Sequence, residues 1–212
     1  SSLLESPSSK WVAAVEARPD GTKLFVGGSF STVNGVAEQK VASLNLTTGA
    51  PLSSFSFSKS TNNPVESLAA SNSTLYVGGR FTRLNGVAKS ALAAVNAASG
   101  AVDTDFTNDI TGGIGVGGQL GVPQLKLTHD NSKLIVVHTG RQINGKDRYG
   151  IGIIDTATKQ LLPWRTQLWD DNLARVGGVT RIYAADVAPD DSYFVVGSGS
   201  GGDVPPISDT AI

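Results

Sequence analysis

Short apolar runs recur along the chain. Each is followed at a fixed distance by a polar turn and a second apolar run. Residues 24–49 read LFVGGSFSTVNGVAEQKVASLNLTTG, and residues 75–100 read LYVGGRFTRLNGVAKSALAAVNAASG, identical at 12 of 26 aligned positions. A more diverged copy, LIVVHTGRQINGKDRYGIGIIDTATK, occupies residues 134–159. The spacing inside the copies does not drift. One interval carries Leu24 to Asn34, Leu75 to Asn85 and Leu134 to Asn144, each Asn opening an Asn-Gly pair. A second carries those asparagines to Asn45, Asn96 and Asp155. The leading leucines themselves recur at Leu24, Leu75 and Leu134, with the second interval the longer. Self-similarity at this period marks a modular array, and four short β segments per period predict β-propeller blades.

The elements follow from local chemistry. Runs 23–26 and 74–77 predict strands, and the glycine pairs Gly27-Gly28 and Gly78-Gly79 predict a bulge or a close backbone approach. Asn34-Gly35, Asn85-Gly86 and Asn144-Gly145 predict type I′ turns, which need positive φ at both central residues. The small residues alternating through 41–45 and 92–96 predict a strand packed on both faces. The closing turns NLTTG and NAASG pair a leading Asn, able to hold an Asx turn, with a final Gly able to take the left-handed conformation. Lys159 replaces that Gly in the third copy. A non-glycine residue there costs roughly 1 kcal/mol, so the turn is expected to survive.

A further strand opens each unit at residues 11–16, 65–69 and 122–127. A fourth unit begins at Arg181, with Tyr193 following Leu134 at the interval by which Leu134 follows Leu75. The chain ends at Ile212 before any third strand of that unit is expected. The repeats run approximately over 11–57, 65–106, 122–164 and 181–212, within one propeller region spanning 1–212. The longer periods arise from insertions at 107–121 and 167–179, which are expected on one rim, where repeat proteins often bind. The expectation is an all-β partial propeller of about three and a half blades, each a four-stranded antiparallel sheet.

Composition narrows the function classes. A net charge of −1, with no block of like charge, argues against an electrostatic nucleic-acid binder. No apolar run approaches the roughly 20 residues of a membrane span. The chain has no Cys, which excludes disulfides and thiolate metal sites. Low charge with abundant Ser, Thr, Asn and Gly suggests a secreted or cell-surface protein. With no starting Met and no signal peptide, a processed or excised product is expected. Propellers close with about four to eight blades, and an open array exposes strand edges and apolar faces. The remaining blades are therefore expected from missing sequence or another chain. A four-bladed ring closed by residues 1–10 is the less favoured arrangement.

The stretches LFVGGSFSTVNGVA, LYVGGRFTRLNGVA, LAAVNAASGAVDTDF, DRYGIGIIDTATKQLLPW and DVAPDDSYFVVGSGS resemble the propeller-type repeats of large secreted actinobacterial surface proteins. The resemblance covers nearly the whole chain. It implies an N-terminal propeller ahead of adhesion-type or carbohydrate-binding modules, an extracellular location and recognition rather than a reaction. The double glycine is also similar to kelch repeats, but the kelch Tyr and Trp are not at matching places.

Candidate chemistry lies mainly in the insertions. Trp164, Trp169, Asp170, Asp171, Asn172 and Arg175 combine aromatic faces with carboxylate, amide and guanidinium groups, a set suited to sugar rings or to a protein interface. The plainer role for Trp164 is packing between blades. Asp103, Asp105 and Asp109 form an acidic loop, DTDFTND, able to offer oxygens to calcium; it lacks the Gly and Glu of an EF-hand, and the plainer reading is a solvated turn. No other cofactor is implied. The glycines at 113, 115, 117 and 118 match G-x-G-x-x-G, but Pro123 and a β-rich run follow instead of a helix, so a loop is expected. His129 falls in a hairpin turn and His138 takes the place of Gly28 and Gly79; both are expected to be structural. Asn45-Leu-Thr47 and Asn72-Ser-Thr74 are sequons already explained by turn chemistry.

Two functions compete. One is a non-catalytic extracellular propeller that recognises a glycan or protein, or serves as a scaffold. The other is a propeller-based carbohydrate-active enzyme, a glycosidase or lyase, with paired carboxylates at the axial channel. Glu16, Glu66, Asp155 and Asp186 lie at strand positions or ends and do not align as such a pair, which favours the first.

Overall fold

A computed structural model describes residues 10–57, 59, 61–114, 118–166, 181–199 and 210–211. The described residues contain no α-helix. The chain divides into two compact units, residues 1–107 and 108–212.

In the first unit, β1 (Trp11–Ala17), β2 (Lys23–Ser29), β3 (Thr32–Val33), β4 (Val36–Ala37) and β5 (Val41–Asn45) form the first repeat. Its antiparallel sheet has the order β1-β2-β5. The pair β3-β4 is a separate two-stranded hairpin. The second repeat copies this with β6 (Val65–Ala70), β7 (Thr74–Gly79), β8 (Arg83–Leu84), β9 (Val87–Ala88) and β10 (Leu92–Asn96). In the second unit, β11 (Ile110–Thr111), β12 (Gln124–Leu127), β13 (Lys133–Val137), β14 (Gln142–Ile143), β15 (Lys146–Asp147) and β16 (Ile151–Asp155) form the third repeat. The fourth has β17 (Arg181–Val187), β18 (Tyr193–Gly199) and β19 (Thr210–Ala211).

The Asn-Gly turns form as read. Asn34, Asn85 and Asn144 have φ of 48°, 43° and 49°, and the following glycines are also positive, but each turn closes the small two-residue hairpin, not the main sheet. The closing turns hold too. Asn45 Oδ1 accepts from the N–H groups of Thr47 and Thr48 at 2.9 Å, and Asp155 Oδ1 accepts from Thr158 N–H at 2.7 Å. Lys159 takes the left-handed conformation at φ 60°.

Three differences from the expectation stand out. In the first three repeats the expected fourth strand is reduced to one bridge, Leu44 with Pro51, Val95 with Val102 and Ile154 with Leu161. Pro51 has no N–H to extend the first of these ladders. The fourth repeat reaches its third strand, because Thr210 and Ala211 pair with Phe194 and Tyr193. Its register is also offset by one from the spacing. Val187 pairs with Phe194 as Leu127 pairs with Leu134, so Phe194, not Tyr193, is the counterpart of Leu134.

The glycine pairs do what their positions implied. A bulge lies between Val12 and Ala14, opposite Gly27 and Gly28, and the same shift falls between Val65 and Ser67 and between Ile182 and Ala184. A Cβ on Gly28 would overlap Trp11 O, and one on Gly79 would overlap Pro64 O. A residue just before the third strand receives the bond from each bulge station. Gly28 N–H donates to Lys40 O, Gly79 N–H to Ala91 O and His138 N–H to Gly150 O, at 3.0, 2.9 and 2.8 Å. Lys40, Ala91 and Gly150 all have positive φ.

Within each unit, consecutive sheets pack face to face. In the first, β6 lies across β1 and β2. Val65 and Leu68 pack where a side chain on Gly27 would be, beside Phe25, Val41, Phe55 and Phe57. In the second, β17 lies across β12 and β13. Ile182 and Ala185 join Ile135, Val137, Ile151 and Ile153. Each fully buried side chain of this size contributes about 1.5–3 kcal/mol, the main stabilising force in a chain without disulfides.

Candidate functional site

The polar side chains of the repeats hold turns. Asp20 Oδ1 accepts from Thr22 N–H and Oγ1, and Asp190 Oδ1 accepts from Ser192 N–H and Oγ. Asp130 Oδ1 accepts from Thr128 Oγ1 at 2.6 Å and from Ser132 N–H at 2.8 Å. These bonds, the Thr128 hydroxyl first, hold the Asp130 carboxyl at about 2. Asp191 accepts from the backbone N–H groups of His129 and Asp130 and lies 2.8 Å from His129 Nδ1. Its carboxyl is held below the usual range, with the His129 N–H the leading cause. Carboxylates fixed in this way are permanent acceptors rather than general acids.

One station was missed by the sequence reading. Glu38, Lys89 and Arg148 share one position in the repeat, counted from Leu24, Leu75 and Leu134, and all three are buried. Their column mixes both signs of charge, which reads as surface. In the fold, each reaches the backbone of the segment that closes its repeat. Lys89 Nζ donates to Phe106 O at 2.5 Å. The Arg148 guanidinium donates to Leu162 O and Asp147 O at 2.7 Å, and burial lowers its pKa. Burial pushes the Glu38 carboxyl up to about 7, partly offset by the N–H of Phe57. Glu38 Oε2 and Arg148 Nε have no hydrogen-bond partner.

His138 is buried, and its Nδ1 accepts from Gly140 N–H at 3.0 Å. Desolvation lowers its pKa to about 3, so the ring is neutral. The third repeat thus fits a neutral side chain where the first two have glycine.

Of the aromatic cluster, Trp164 is described. It is half-buried, packs on the core of the second unit and meets Phe194 edge-on, with ring centroids 5.4 Å apart. Trp169, Asp170, Asp171, Asn172 and Arg175 lie outside the described residues. In the acidic loop, Asp103 Oδ1 accepts from Asp105 N–H at 3.0 Å, an Asx turn. Among the described residues, no group of three or more His, Asp or Glu side chains is gathered as a metal ion would need. The 107–121 insertion contributes one strand to the sheet system. Its β11 adds to the Asn-Gly hairpin of the third repeat, pairing Ile110 with Ile143. The described part of the G-x-G-x-x-G stretch is a loop: Ile114 N–H donates to Thr139 O, and β12 follows.

A cleft of about 350 Å3 lies in the first unit, lined by Ser73, Thr74, Val95, Asn96, Ala101, Val102 and Asp103. It combines apolar surface with two hydroxyls and a carboxylate. Asn96 is already committed, since its Oδ1 accepts from Ala98 and Ser99.

No family model and no curated protein matches the sequence. Solved structures do match. Kuenenia stuttgartiensis hydrazine synthase is similar over 91% of this chain and 44% of its own, at 12% identity and a TM-score of 0.49. A structure of the mitotic checkpoint complex is similar over 92% of this chain and 48% of its own, at 16% identity and a TM-score of 0.50. Both are propeller-containing proteins. The chain spans less than half the length of either. At these identities the likeness speaks to the fold alone. The chain is all-β, built of small antiparallel sheets, and is similar to propeller proteins.

Proposed function

We propose that this chain is a non-catalytic run of propeller repeats, part of a larger secreted or cell-surface protein of the actinobacterial kind its repeats resemble, and that it recognises a glycan. The observation that carries this is the commitment of the repeats' polar groups. Asp20, Asp130, Asp155, Asp190 and Asp191 are bound into turns, and Lys89 and Arg148 are bound to backbone carbonyls. Such a chain carries its recognition groups on clefts and insertions, as repeat scaffolds commonly do. The cleft beside Asp103 falls within the size range of small-molecule sites. Trp169, Asp170 and Asp171 in the second insertion bring an aromatic ring and carboxylates, groups suited to a sugar, and calcium held at the 103–109 loop through carboxylate and backbone oxygens is a further element of the same reading.

A glycan array with the wild type, Asp103→Ala and Trp169→Ala tests it, each with and without a calcium chelator. The reading expects selective binding that one of the substitutions abolishes while the melting temperature stays constant. A wild-type chain that binds no glycan on the array would defeat it in favour of a protein partner or scaffold.

A further inference from the structure

The Asn-Gly turns of the first three repeats share a station but not a tether. In the first repeat, Asn34 Nδ2 donates to Gly49 O at 3.4 Å. In the second, Asn85 Nδ2 donates to Gly100 O at 3.4 Å and to Ser56 O at 3.5 Å, and Asn85 Oδ1 accepts from Lys59 N–H at 3.0 Å. Gly49 and Gly100 end the NLTTG and NAASG turns, so both asparagines reach the same backbone carbonyl of their repeat. Lys159 holds that station in the third repeat, and its carbonyl accepts instead from Nδ2 of the buried Asn108, at 2.9 Å. Asn144 is exposed, and its side chain makes no hydrogen bond among the described residues. The glycines differ as well. The point a Cβ on Gly86 would occupy lies 2.8 Å from Lys59 Cδ, whereas nothing lies within 4 Å of that point on Gly35 or Gly145.

An asparagine before glycine carries a latent reaction. The glycine's backbone nitrogen attacks the side-chain amide carbon, Cγ, and gives up its proton. A new C–N bond closes a cyclic imide, and the side-chain nitrogen leaves as ammonia with that proton. Water then opens the imide at either carbonyl, giving aspartate or isoaspartate, with no oxidation or reduction. The side chain must first swing over its own backbone, so each bond that holds it elsewhere slows the reaction. We propose that Asn144 is such a self-modification site, converting with Gly145 ahead of Asn34 and far ahead of Asn85. Isoaspartate adds a methylene to the backbone of the turn that fixes the Ile143–Lys146 pairing, so that product disturbs the β14–β15 hairpin. This is independent of any glycan site.

Incubation of the folded chain at mildly alkaline pH tests it, with tryptic peptides 142–146, 24–40 and 84–89 followed over time by mass spectrometry. Peptide 142–146 is expected to convert first, and 84–89 at least about tenfold more slowly, the effect of a few hydrogen bonds of ordinary strength. In urea, where the tethers are gone, the rates should converge. Asn108→Ala frees Lys159 O, and in a variant whose far-UV circular dichroism matches the wild type Asn144 should slow severalfold. Equal rates in the folded chain overturn the proposal, and so does a lead for Asn85. An order that persists in urea also overturns it, because neighbouring sequence and not the fold would then set the rates. That comparison stands even if Asn108→Ala fails to fold. An Asn144 rate unchanged in a folded Asn108→Ala overturns the tether as the cause.

Discussion

Val65 and Val12 are the same residue at the same station of consecutive repeats, opposite Gly79 and Gly28. They differ in what lies against them. Val65 is fully buried, and its Cγ1 sits 2.7 Å from the point a Cβ on Gly27 would occupy. Val65→Ala removes two methyl groups, about 1.6 kcal/mol at roughly 0.8 each. The space left cannot collapse easily, because β2 and β6 are both pinned by ladder hydrogen bonds, which raises the cost to about 2–3 kcal/mol. For a chain of this size that corresponds to a fall in melting temperature of about 5–10 °C. Val12→Ala removes the same atoms from a site open to water and should cost under about 0.5 kcal/mol. Urea unfolding followed by far-UV circular dichroism measures both losses. Equal losses for the two variants would refute the placement of Val65 between the packed sheets and of Val12 in the open.

Glu38→Gln should change the pH dependence of stability. The folded pKa, about 7, lies above the ordinary 4.5, so the folded state holds this proton more tightly. The stability it lends is present below 4.5 and lost as pH rises through 7. At about 1.4 kcal/mol per pKa unit the ceiling is about 3 kcal/mol, and local relaxation around the ionised carboxylate reduces the expected gain of the variant at pH 8 to about 1–2 kcal/mol. A variant-minus-wild-type difference that is the same at pH 4.5 and pH 8 would contradict this. Gly79→Ala would drive a Cβ into Pro64 O and to 2.9 Å from Val65 Cα, both backbone atoms, so the bulge must open. A loss of at least about 2 kcal/mol is expected on thermal melting; Gly35→Ala, whose Cβ would meet nothing within 4 Å, should lose about 1 kcal/mol through its positive φ alone.

The sequence alone determined the repeat, its turns and its bulges. Asn34-Gly35 and the Asn45 and Asp155 turns are decided by residues that touch within a few positions of one another, so their chemistry is written locally. The glycine pairs were legible for the same reason, as places where neighbouring backbone must come close. The tertiary structure decided which identical residues are core and which are open. Val12 and Val65 hold the same station in the repeat, and what separates them is that the first repeat's sheet packs against Val65. It also decided that Glu38, Lys89 and Arg148 are buried. Their partners are backbone groups well further along the chain, at Phe57, Phe106 and Leu162, that no spacing rule within the unit identifies. The left-handed Lys40 and Ala91 belong with these. Their conformation is imposed by the bond each accepts from the bulge station, not by a preference of their own.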